Sequence, residues 1–170
     1  MKKVFRNIPR EYRQGKGRAR KGQGLVEFAI ILPLLLSLIL GIIEFGRLAT
    51  TYAAVSSASR EAARYGAAVG NDGLGTVARF KDCAGIRSAA TRVAAAFAAI
   101  SASDIVIQYD SGPGTATYSN CAPPIGAVQL GHRIIVRVQT TYQPLLAVGL
   151  EPFQIMSEAK RTIVKEVELN

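Results

Sequence analysis

The chain is 170 residues long, and its 21 Lys and Arg outnumber its 12 Asp and Glu to give a net charge of +9. Nearly all of that excess sits in residues 1–22, where Glu11 is the only acid, so the basicity belongs to a tail and argues against a nucleic-acid-binding domain. Two cysteines and one histidine are too few for a structural zinc site, and no cofactor is expected.

The basic leader, residues 1–22, runs directly into an uncharged stretch from Phe28 to Ile43. As a helix, Leu25–Ile43 spans about 28 Å, close to the roughly 30 Å hydrocarbon core of a bilayer. The sequence therefore predicts a transmembrane helix over residues 23–46. Cations crowd its N-terminal side and Arg47 is the only one close behind it, which places the leader in the cytoplasm and residues 47–170 outside. A secretory signal would use a shorter apolar core, such as Leu34–Ile43, with a cut near Ala49 or Ala53, and would give Glu27 no role. A carboxylate at the edge of a membrane segment is costly and usually has a partner or a function. The plainer alternative seats Glu27 among the headgroups, paired with Lys21 or Arg20. Pro33 removes the donor for the Ala29 carbonyl and is expected to loosen or kink the helix, while Gly41 and Gly46 soften it and permit close helix packing.

Beyond the membrane the chain is Ala-rich and free of proline. Tyr52, Val55, Ala58, Ala62, Tyr65 and Val69 recur at three- and four-residue spacing, so the helix is predicted to continue to Val69 and to stop at Gly70-Asn71-Asp72-Gly73. A second helix is predicted over Ile86–Ile100, with Ile86, Ala90, Val93, Phe97 and Ile100 on its apolar stripe. A strand follows at Ile105–Tyr109, then a loop from Asp110 to Gly131, and a strand at His132–Tyr142 with Ile134, Val136 and Val138 on one face. In Gln154–Val167 the β-branched Thr162, Ile163, Val164 and Val167 favour a terminal strand over a helix. The predicted fold class is α+β, a three-stranded antiparallel sheet and a second helix packed on the outer half of a long N-terminal helix. A domain of this size has a modest core. A Cys83–Cys121 disulfide, closing about 39 residues, would add about 3 to 4 kcal/mol and suits an extracytoplasmic location; two free thiols are the alternative. His132 opens a strand and reads as an exposed or capping residue. Gly70–Gly75 lacks the lysine of a phosphate loop. With no nucleophile in a recognisable setting, the chain is expected to be no enzyme.

The segment Gly22-Gln23-Gly24-Leu25-Val26-Glu27-Phe28, basic before and apolar after, resembles the processing site of type IV prepilins. The longer stretch GQGLVEFAIILPLLLSLILGIIEFGR, through Leu32-Pro33 and Glu44-Phe45-Gly46-Arg47, is similar to the TadE-type pseudopilins of the tight-adherence (Flp-type) pilus. This resemblance covers about the first fifty residues. It implies that a prepilin peptidase cuts after Gly22, leaving Gln23 first and Glu27 fifth, with Phe28 at the aromatic position. It further implies that Glu27 pairs with the N-terminal amine of a neighbouring subunit. The implied partners are the peptidase, other pilin or pseudopilin subunits, the inner-membrane assembly platform and membrane lipid. Major tight-adherence pilins are much shorter chains, so the resemblance points to a minor subunit acting in pilus assembly, adhesion or secretion. A cut after Gly24 would leave Glu27 third, which no resembling pattern supports. Gly22 and Gly24 are expected to keep the cleavage segment extended and non-helical, so that a peptidase can lay the backbone in its cleft. The alternative is an uncleaved single-pass anchor presenting a small extracytoplasmic binding domain.

Overall fold

The computed structural model describes residues 16–119, 128–145 and 151–164, the side chains of 16–21 and Ser119 excepted. The chain divides into two units, Met1–Ile43 and Glu44–Asn170. Helix α1, Lys16–Ala67, supplies the described part of the first unit and opens the second.

In the first unit, Leu, Ile and Ala dominate α1, and every residue from Leu25 to Ile43 is exposed. Apolar surface left in water is unfavourable by about 25 cal/mol per Å². A helix satisfies its own backbone, so the same surface is well suited to lipid. It is the one described helix long and apolar enough to cross a membrane. The helical state persists on both sides of Pro33, whose carbonyl accepts the Ser37 hydroxyl at 2.7 Å.

The second unit is built on the Glu44–Ala67 part of α1. A 3-10 turn at Arg79–Lys81 leads into α2, Cys83–Ala94, and a second turn at Ala102–Asp104 leads into β1, Ile105–Asp110. Strands β2 (Tyr118–Ser119), β3 (Arg133–Tyr142) and β4 (Phe153–Thr162) complete an antiparallel sheet in the order β2-β1-β3-β4. The three expected strands are therefore present, with the two-residue β2 added from within the expected loop.

Register decides which face of the sheet is buried. Ile105, Ile107 and Tyr109 stand opposite Val138, Val136 and Ile134, and Val138 and Val136 stand opposite Ser157 and Ala159. Residues paired across a ladder point the same way. This face packs on Val55, Ala58, Ala62 and Ala63 of α1 and on Ile86, Ala90 and Ala94 of α2. Alanine on the helices permits close approach, and at Gly66 even a methyl would overlap Ile134 Cδ1. Two polar side chains enclosed here are paired. Ser59 Oγ lies 3.0 Å from Ser157 Oγ and donates to the Ser56 carbonyl, and Tyr109 Oη donates to the Phe80 carbonyl at 2.6 Å. Burial pushes the Tyr109 hydroxyl well above the usual tyrosine range. The opposite face of the sheet carries a charge ladder, with Arg133 bidentate on Asp110 at 2.7 and 2.6 Å, and Glu158 shared by Arg137 and Lys160.

Three expectations need correction. Helix α2 ends at Ala94 rather than Ile100, where the Ala94 carbonyl accepts the N–H groups of both Phe97 and Ala98 and turns the chain. A reciprocal Ser101–Asp104 capping box then sets the entry to β1. Its buried stripe is consequently Ile86, Ala89, Ala90 and Ala94, and Phe97 is exposed. On α1, Val55, Ala58 and Ala62 are buried as expected, but Tyr52 is exposed, and so is Val69, which lies past the end of α1 at Ala67.

Candidate processing site and helix exit

Gly22, Gln23, Glu27 and Phe28 all lie on the exposed first part of α1. Gln23 Nε2 donates to Glu27 Oε1 at 3.2 Å, the one-turn pairing that a helix gives residues four apart. Phe28 is 62% exposed and Gly22 has open space around it. Among the described residues the site is thus a linear determinant on a helix surface, with no enclosing cleft. Contrary to expectation, Gly22 and Gly24 are helical, because α1 begins at Lys16. The reason is magnitude: a glycine costs a helix about 1 kcal/mol, and two of them do not outweigh a long continuous run of strong helix formers.

At the other end of the apolar run, Glu44 is held by three residues. Tyr142 Oη donates to Glu44 Oε1 at 2.6 Å and lies 3.2 Å from the Glu44 carbonyl. The Leu145 N–H donates to the carboxylate at 3.3 Å, and Arg47 Nη1 approaches it at 3.2 Å. The Arg47 guanidinium also lies 5.5 Å from the centre of the Tyr142 ring. One carboxylate, placed where the apolar run stops, thereby ties α1 to the end of β3. Sequence reasoning singled out Glu44 and Arg47 but missed Tyr142 and Leu145, about a hundred residues away. No local pattern marks a partner at that separation.

Residues 22–64 match the family model described as TadE-like protein. The N-terminal segment is TadE-like. No curated protein and no solved structure matches the chain. The TadE-like segment begins at Gly22, takes in the Gln23–Glu27 pair, the apolar run and the Glu44–Arg47 exit, and stops at Arg64, three residues before α1 ends. A TadE-like match with a long apolar N-terminal helix fits a pilin-like protein of the tight-adherence system, held as a single-pass membrane anchor.

Outside the TadE-like segment lie the remaining residues marked from sequence. Cys83 opens α2 and is partly buried against the core, while Cys121 lies outside the described residues. His132 Nδ1 accepts the Gln129 N–H at 3.3 Å and lies 2.7 Å from Tyr118 Oη, which makes it a fastener between β2 and the start of β3. Among the described residues no cluster of three His, Cys, Asp or Glu could hold a metal ion.

Proposed function

We propose that the chain is a minor pilin or pseudopilin subunit of a tight-adherence pilus system. It is made as a precursor with a cytoplasmic leader and is cut after Gly22 by a prepilin peptidase. One observation carries this reading: the TadE-like match starts at Gly22, at the boundary between the basic leader and the exposed apolar helix. Cutting there makes Gln23 the N-terminus and puts a new ammonium one helical turn from Glu27. An ionised carboxylate in an apolar bundle is tolerable when paired, so Glu27 meeting the amine of a neighbouring subunit favours one axial register over slipped ones. In this role the chain is a substrate and a structural part rather than a catalyst. Its partners are the peptidase, other pilin-like subunits, the assembly platform and lipid, and residues 47–170 face out of the cytoplasm. A Cys83–Cys121 bridge would reinforce the outer domain in that location.

The uncleaved anchor is kept as a second reading, because Gly22–Gly24 are helical and a peptidase must first unwind them. Intact mass and N-terminal sequencing of the protein from membrane and sheared-surface fractions separate the two. A chain beginning at Gln23 is expected; one still beginning at Met1 in the assembled envelope overturns processing. Glu27→Gln is expected to leave the membrane helix inserted and to reduce incorporation into filaments. Unchanged processing and incorporation together would refute the role given to Glu27.

A further inference from the structure

We infer that the seam between α1 and β4 binds an extended acidic segment of another protein chain, added to the sheet as a strand beside β4. The inference deepens the proposed role and rests on it only for the partner's origin in a neighbouring pilus component.

Three observations converge. First, β4 is an edge of the sheet, ten residues long, with no strand on its outer side among the described residues. The Ile163 N–H bonds to the His132 carbonyl and the Ile163 carbonyl accepts from Gly131, so Ile163 faces β3. By the alternation of an antiparallel ladder, the backbone groups of Thr162, Lys160 and Glu158 point outward, available to a further strand. Second, a cleft of about 700 Å³ lies along this edge, between Arg60, Arg64, Ala67 and Ala68 of α1 and residues 158–162 with Val164. Its floor is alanine and its rim is charged. Third, the charge in the cleft is uncompensated. Glu158 is taken by Arg137 and Lys160, and Arg64 is paired with Glu61, whereas Arg60 and Arg161 have no ion-pair partner among the described residues.

Charged residues on an edge strand can simply deter pairing. The register argues for more than that here. Arg161 stands opposite Ile134, on the face of the sheet turned toward the helices, and its exposed side chain lines the cleft with Arg60 and Arg64 of α1. Cations on both walls of one open cleft repel one another weakly through solvent and favour an anionic occupant. Carboxylates are the matching chemistry, since a guanidinium binds one in bidentate fashion. The open edge beside them selects a peptide over a free ion.

The test uses the full chain in nanodiscs of zwitterionic lipid and a fluorescent ten-residue peptide of alternating Val and Glu. Each lost guanidinium–carboxylate contact is worth about tenfold in affinity. Arg60→Gln/Arg161→Gln is therefore expected to weaken binding by about tenfold or more, while the basic leader contributes equally to both proteins. Bound peptide is expected to slow amide exchange at Glu158, Lys160 and Thr162. Equal affinity in the double variant, or equal binding of the peptide with Gln for Glu, overturns the inference. So does competition by sulfate with no protection of the β4 amides, which would mark a small-anion site. The binding is measured on chains beginning at Met1 and at Gln23 alike, so a failure of processing is distinguishable from a failure of the cleft.

Discussion

Asp82 joins the two helices of the outer domain, and removing it should reveal a coupling that can be stated in advance. Its Oδ1 accepts the Gly85 N–H at 2.8 Å as the N-cap of α2, and its Oδ2 accepts the Tyr65 hydroxyl of α1 at 2.7 Å. Replacing an N-cap Asp by Ala costs about 1 kcal/mol. A hydrogen bond to a charged acceptor contributes about 1.5 kcal/mol at the lower end of its range, which suits this half-buried pair. Asp82→Ala should therefore destabilise the outer domain by about 2.5 kcal/mol and Tyr65→Phe by about 1.5 kcal/mol. The double variant should lose no more than Asp82→Ala alone, leaving a coupling of about 1.5 kcal/mol. Asp82→Asn, which keeps a good cap, should cost less than either. The assay is denaturant-dependent pulse proteolysis of the full chain in detergent, read at the outer domain. Simple additivity of the two single variants would refute the reasoning, because it would mean that the hydroxyl and the carboxylate act independently.

The Arg133 hydrogen bonds hold the Asp110 carboxyl below its ordinary value of 3.8, and the bonds from Lys160 and Arg137 hold Glu158 below 4.5. A carboxylate depressed in the folded state contributes stability that is present above its unfolded pKa and is lost as pH falls through the folded one. The domain should accordingly weaken below about pH 4, and Asp110→Asn should lower stability at pH 7 while flattening that acid loss in a pH series of unfolding curves. Gly66→Val should destabilise by about 1 to 3 kcal/mol through overpacking against Ile134 and Ile86, and a Tm no lower than that of the parent would refute the close approach argued for α1. Glu44→Ala should speed hydrogen exchange at the Leu145 amide more than Tyr142→Phe does, since only the first removes that amide's acceptor; equal effects would mean that the carboxylate is not what holds it. If Cys83 and Cys121 are bridged, reduction should lower the stability of the outer domain by about 3 kcal/mol, and an unmoved transition would count against the bridge.

Much of this protein was legible in one dimension, because the properties concerned are local or additive. The membrane-competent helix follows from nineteen residues without a charge other than Glu27, and the TadE-like match over residues 22–64 agrees with the resemblance read at Gly22 to Arg47. Helix and strand periods found α1, α2, β1, β3 and β4 in order. What the sequence could not determine was set by packing and by balance of magnitudes. Gly22 and Gly24 looked like breakers, yet a long helix absorbs them. Phe97 fitted the apolar stripe of α2, but the turn at Ala94 took the chain into β1 and left the ring outside. The pairing of Tyr142 and Leu145 with Glu44, and the placing of Arg60 and Arg161 along one cleft, bring together residues about a hundred positions apart. Such contacts depend on strand register and on the packing of α1 against the sheet, which no run of neighbouring residues encodes.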